Sequence, residues 1–161
     1  MVEPLTTFAS YFGKPGAGLD QVGAHALMRA VLDRVIPLEA TSAPTASAAD
    51  TFVAGMGSSQ DLAHVFIACC RYLGAPARYV SGYLFSATDQ QVANHAWADV
   101  WVEGEWLSVD IARGQLANGI HVRLATGLDV RDACPIAQVR QAGGATTSFR
   151  VLVQSMEQMQ Q

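Results

Sequence analysis

Runs of basic residues, paired cysteines and long apolar stretches are all missing from this 161-residue chain. Its ten Lys and Arg residues are scattered among fourteen acids, for a formal net charge of −4. That balance offers nucleic acid or an anionic membrane no electrostatic purchase, and neither is expected as a partner. No apolar run approaches the ~20 residues of a membrane-spanning helix. The start, MVEPLTTFASYFGKPG, has neither the basic flank nor the continuous apolar run of a signal peptide. Cysteine occurs only as Cys69, Cys70 and Cys134. An odd number with two adjacent does not read as a disulfide framework, and the spacing fits no zinc motif. No cofactor and no metal are expected, and the expected setting is reducing and cytoplasmic.

Half of the residues are hydrophobic and 15% are charged, which suits a folded domain with a sizeable core. Residues 19–36 carry Ala24, Leu27, Met28, Val31, Leu32 and Val35 at helical spacing, with Asp20 as N-cap and Pro37 as a stop. Ser47 followed by Asp50 resembles a capping box for a short helix over 48–54. Gly55 and Gly57 then make a turn. A third helix is expected from about Ser59 to Leu73, with the stripe Leu62, Val65, Phe66, Cys69, Cys70 and Leu73. Gly74 would cap it and Pro76 forbids its continuation.

Beyond Pro76 the pattern changes. Ala77–Ser86, His95–Val102 and Glu105–Asp110 are rich in aromatic and β-branched residues, and Glu103-Gly104 sits where a tight hairpin turn belongs. The segments IHVRLA, PIAQVRQ and TTSFRVLVQ complete the strand set, and the QSMEQMQQ tail reads as a frayed end. Helices first and antiparallel strands second imply an α+β fold. Trp97, Trp101 and Trp106 are expected in its core.

The stretch GSSQD, at the glycine-led start of the third helix, carries the chemical question. On local rules Ser59 is an N-cap. At a helix N-terminus, free backbone N–H groups also favour developing negative charge, so the same serine is a candidate nucleophile. His95 opens one strand and Asp110 closes the next, both at the end of the hairpin away from its turn. Adjacent strands lie about 5 Å apart, so these side chains can meet. Asp61 reads as helix-terminal charge and His64 as a partly buried, hydrogen-bonded ring. Cys69 and Cys70 lie about 15 Å along the helix from Ser59, too far to replace it.

The order of these blocks, from a glycine-led helix through GYL and NHAW to W…VD, resembles the transglutaminase-like superfamily of bacterial cysteine-protease-type proteins. The likeness is densest over QDLAHVFIACCRYLGAPARYVSGYL and returns in HVRLATGLDVRDACPI. It implies a papain-like α+β core spanning 1–161 as a single catalytic domain, a fragment or a shortened relative lacking a preceding domain. It also implies a Cys-His-Asp triad for acyl transfer or amide hydrolysis. The histidine falls on His95, the acid on Asp110 and the cysteine on Ser59, since the usual GVCQD is GSSQD here. Ile111 replaces the proline that commonly follows the acid. Ser58, Gln60 and Trp97 are weaker candidates for substrate or oxyanion binding.

Serine must lose its proton during attack, so the histidine has to act as a general base. A site adapted to serine suits esters, whose leaving group needs less protonation than an amine. The expected activity is therefore a Ser-His-Asp acyl hydrolase, an esterase forming an acyl-enzyme on small ester or peptide-like acyl substrates. Two alternatives stay open. One is a Cys→Ser inactivated peptidase or amidase. The other is a pseudoenzyme that binds peptide or protein in the old cleft.

Overall fold

Helix α4, Ser59–Leu73, organises the molecule. Leu62, Ala63, Val65, Phe66, Ile67, Cys69, Cys70 and Leu73 are all buried, so only a narrow strip of this helix meets solvent. The computed structural model describes residues 3–39, 46–85 and 94–133. Around α4 lie α1 (Glu3–Ser10), α2 (Gln21–Arg34) and α3 (Ala48–Ala54). On its other side is a sheet of β3 (Ala77–Leu84), β4 (Asn94–Val102), β5 (Glu105–Asp110), β6 (Gln115–Leu116) and β7 (His121–Gly127). The strand order is β6-β5-β4-β3-β7, antiparallel throughout. The α+β architecture is as the sequence implied. The later segments PIAQVRQ and TTSFRVLVQ, the tail and Cys134 lie outside the described residues.

Local rules account for most element ends. Asp20 caps α2 through the Gly23 N–H at 2.7 Å. Ser47 caps α3 through the Asp50 N–H, and Gly55 closes it at φ 70°. Glu103 and Gly104 both have positive φ, 49° and 92°, the pairing that a two-residue hairpin turn requires. Alternation along β4 sends Ala96, Ala98, Val100 and Val102 into the core shared with α4. The odd positions, His95, Trp97, Asp99 and Trp101, take the other face.

Three expectations need correction. Helix α2 ends at Arg34 rather than running to residue 36 before Pro37. Val35 is already extended, and Ile36–Pro37 forms β1, parallel to Met56–Gly57, or β2. Bonds from Ile36 N–H to Gly55 O at 2.9 Å and from Leu38 N–H to Gly57 O at 2.7 Å anchor the turn that precedes α4. Helix α1 was not anticipated. It is short, but it buries Leu5 and Ala9 against the core. Trp101 and Trp106 are not core residues, each being 40% exposed. They face each other across the hairpin near its turn, edge to face at 5.4 Å. The Arg78 guanidinium lies 4.1 Å over the Trp106 ring.

Gly82 is where β3, Trp97 and β7 converge. The β3–β7 register shifts between Ser81 and Gly82, and a bulge of this kind sharpens strand twist. A Cβ at Gly82 would collide with the Val122 carbonyl oxygen and lie 2.5 Å from Trp97 Cη2. Backbone cannot yield as a flexible side chain can. Gly82→Ala is therefore expected to destabilise the fold by about 1–3 kcal/mol, read from urea unfolding. A loss smaller than about 0.5 kcal/mol, the range of ordinary surface substitutions, would contradict this packing.

Three further β residues tie the sheet together. Asp99 on β4 is fully buried and takes Arg123 Nη1 at 2.7 Å and Nη2 at 2.9 Å from β7. Arg78 Nε on β3 reaches the same carboxylate at 2.9 Å. A buried charge that kept only one of these partners would be costly. The clamp holds β7 close to β4, which matters below because β7 begins with a histidine.

Candidate active site

The cap of α4 is Ser58, not Ser59. Ser58 Oγ accepts from the Asp61 N–H at 3.4 Å, and Asp61 Oδ2 accepts from the Ser58 N–H at 2.9 Å. This reciprocal pair is a capping box. Two adjacent serines are equally good caps by composition, but only Ser58 stands three residues before Asp61. Ser58→Ala is expected to cost about 1 kcal/mol of stability while leaving the candidate nucleophile Ser59 in place. Denaturant midpoints alongside covalent labelling of Ser59 separate the two roles.

Ser59 is thus the first residue of the helix and is free of capping duty. The capping box uses the N–H groups of Ser58 and Asp61. Among the described residues, the N–H groups of Ser59 and Gln60 take no partner, as expected for two of the four donors that a helix start leaves open. The half-buried Ser59 hydroxyl oxygen accepts the Ala96 N–H at 3.3 Å. That bond seats it against the residue following His95 and leaves its own proton to give away.

His95 Nε2 lies 2.7 Å from Asp110 Oδ2, with the carboxylate wholly buried and the ring 12% exposed. The expected His–Asp pair is therefore formed at the end of the hairpin away from Glu103-Gly104. Nδ1 is left as the ring nitrogen for an incoming proton. Asp110 Oδ1 accepts the Arg113 N–H at 3.2 Å from the turn that follows β5. Burial pushes the Asp110 carboxyl up, but hydrogen bonding to and charge on His95, then His121 and the Arg113 N–H, outweigh it. The group is held below its ordinary 3.8.

A residue that sequence reasoning missed completes the cluster. His121 Nε2 lies 2.9 Å from the same Asp110 oxygen, and its side chain is 2% exposed. The Trp97 ring stands edge-on to His121 at 5.2 Å and lies 6.3 Å from His95. Trp97 walls the site, and its buried indole N–H has no partner among the described residues. Ser58 and Gln60 bring no side chain to Ser59 or His95 through any hydrogen bond among the described residues. The one sequence signal for His121 was a histidine near the head of the IHVRLA strand, one residue past the Asn118-Gly119 turn. Which acid it would meet depends on strand order.

The ligand atoms of His95, Asp110 and His121 lie within 4.8 Å of one another, near enough for a metal ion to gather. Spacing rules could not find this group, because its members come from three strands. Zinc would hold each donor about 2.0–2.2 Å away, and hence the donors about 3.3 Å apart. The contacts of 2.7 and 2.9 Å are instead those of shared protons.

His64 and the helix cysteines stand apart from this chemistry. His64 Nε2 accepts the Val130 N–H at 3.2 Å and its ring packs on Tyr79 at 5.0 Å. Burial lowers its pKa from the ordinary 6.5, so it holds Val130 as a neutral ring. Burial pushes the Cys69 thiol up to about 12 and that of Cys70 well above its usual value. Neither is a nucleophile near neutral pH.

A hydroxyl at the head of a buried helix, beside a histidine and an acid on antiparallel strands, defines the papain-like α+β class. The chain belongs to the transglutaminase-like superfamily, whose sequence model matches residues 13–111. An uncharacterized protein of Mycobacterium leprae is 32% identical over 96 residues, covering 56% of this chain and 34% of its own length. One from Mycobacterium tuberculosis strain H37Rv is 35% identical over 99 residues, covering 54% and 32%. The chain thus spans about a third of the length of the curated relatives it matches. Among solved structures, a candidate cysteine protease from Cytophaga hutchinsonii superposes with a TM-score of 0.67 at 29% identity, covering 81% of this chain and 44% of that one. Legionella pneumophila LapG shares the fold, with a TM-score of 0.56 at 14% identity over 77% of this chain and 70% of its own. Among the described residues no helix is long and apolar enough to cross a membrane.

Proposed function

We propose that the protein is an acyl hydrolase that cleaves small carboxylic esters through a Ser59–His95–Asp110 triad. The observation carrying this reading is a serine relieved of its cap by Ser58 and seated by Ala96 N–H beside a formed His95–Asp110 pair. In the proposed reaction His95 Nδ1 takes the Ser59 proton as Oγ attacks the ester carbonyl carbon. The carbonyl oxygen becomes an oxyanion that the open N–H groups of Ser59 and Gln60 receive. Collapse expels the alkoxide, to which His95 returns the proton, leaving an acyl-Ser59 ester. Water, deprotonated by His95, then attacks the acyl carbon, and His95 returns that proton to Ser59 Oγ as the C–Oγ bond breaks and the acid leaves.

The relatives' fold class and the serine at the family's cysteine position also favour a second reading, a Cys→Ser inactivated form of a peptidase or amidase. Pre-steady-state kinetics with p-nitrophenyl acetate tests the first reading. A p-nitrophenol burst stoichiometric with enzyme, followed by slower turnover, supports it. No burst and no turnover, with amide or ester cleavage gained in Ser59→Cys, supports the second.

A further inference from the structure

His121 is buried, polar and bonded to the triad acid, yet the proposed reaction gives it no step. We propose that it is a positioning residue, whose Nε2–H pins the Asp110 oxygen that also receives His95. This inference rests on the triad reading above.

The argument begins at a backbone amide. Asn118 N–H lies 3.0 Å from His121 Nδ1, and a backbone N–H can only donate. His121 Nδ1 therefore carries the lone pair, and the proton of the neutral ring sits on Nε2. The Asn118 side-chain oxygen also lies 3.2 Å from Nδ1, but it receives its own hydrogen bond from Ile120 N–H at 3.2 Å. His121 Nε2–H then donates to Asp110 Oδ2 at 2.9 Å. One oxygen thus takes two imidazole donors, from His95 at 2.7 Å and from His121, while Oδ1 takes Arg113 N–H at 3.2 Å.

A carboxylate held from three sides cannot rotate without breaking bonds. It stays an acceptor towards His95 Nε2–H, and that tautomer leaves His95 Nδ1 as the base for Ser59. The tautomer of the base is therefore set by a chain of hydrogen bonds that starts at Asn118 N–H. The Asp99–Arg123 clamp, two residues along β7, ties the head of that strand to β4 across β3.

Two variants and one spectroscopic measurement test the proposal. His121→Phe keeps an apolar ring but donates nothing. His121→Gln keeps an N–H at a comparable reach. With p-nitrophenyl acetate, His121→Phe is expected to lower kcat on the order of 10- to 100-fold, the scale of a small misplacement in a site. KM should stay within about twofold, as for an interaction felt mainly in the transition state. His121→Gln should recover most of the loss. A merely structural ring would instead leave both variants alike.

Nitrogen-15 NMR of the imidazoles needs no turnover. It should show His121 protonated at Nε2 alone near neutral pH, and a hydrogen-bonded His95 Nε2–H that is lost or exchanges faster in His121→Phe. A His121 protonated at Nδ1, or a folded His121→Phe with unchanged kcat and an unchanged His95 signal, would overturn the proposal. If the wild type turns over no ester, the esterase reading falls, while the ring-proton measurement still decides the role of His121.

Discussion

Replacing Ser59 by alanine will abolish fluorophosphonate labelling and lower ester turnover on the order of 10³-fold or more. The size follows from losing the attacking atom itself. The same substitution also takes the acceptor from the Ala96 N–H, so it is expected to cost about 1 kcal/mol or more of stability. The lost labelling and turnover, not stability, distinguish this account from a capping role. A serine serving only as N-cap would cost about 1 kcal/mol when truncated and would change no turnover. The capping box between Ser58 and Asp61 survives in Ser59→Ala, so the helix start stays in place while the attacking oxygen is removed.

Asp110→Asn is expected to lower kcat by about 10³- to 10⁴-fold, the scale seen when a triad acid is made neutral. Asp110 is fully buried and accepts from His95, His121 and Arg113 N–H. An asparagine offers one accepting oxygen and places an NH₂ against a remaining donor. If the amide nitrogen faces the imidazoles, His95 must carry its proton on Nδ1, the wrong nitrogen for a base towards Ser59. The variant should also lose stability, about 1–3 kcal/mol for a buried donor left unpaired. The pH dependence has a definite sign. The carboxyl is held below 3.8 in the folded protein, so its contribution is complete above that pH and is lost as pH falls through the lower folded value. The stability gap between wild type and Asp110→Asn should therefore narrow only below pH 3.8. Stopped-flow kcat and urea unfolding across pH measure both effects. A kcat within tenfold of wild type would remove Asp110 from the triad.

Much of this arrangement was legible because it is local. The caps at Asp20 and Ser47, the positive-φ turn at Glu103-Gly104 and the pairing of His95 with Asp110 each depend on a few neighbouring residues. The family blocks placed the rest of the core. What was not legible depended on contacts distant in sequence. Ser58 and Ser59 differ as caps only through the reach of Asp61. Trp101 and Trp106 share the alternation of Trp97, and nothing in that pattern tells which end of the face lies uncovered. His121 comes from β7, beyond β3 in the sheet, so its bond to Asp110 at the end of β5 could not be read from spacing. Helix α1 is eight residues long and has too few turns to show a periodic stripe.

The most direct test of the central claim is peptide mapping by mass spectrometry after fluorophosphonate treatment of the wild-type protein. The account predicts one stoichiometric adduct, on Ser59, that is absent from Ser59→Ala and strongly reduced in Asp110→Asn. An unlabelled Ser59 in folded protein, beside a Ser59→Cys variant that reacts rapidly with iodoacetamide, would contradict it and identify the oxygen at this position as a silenced nucleophile.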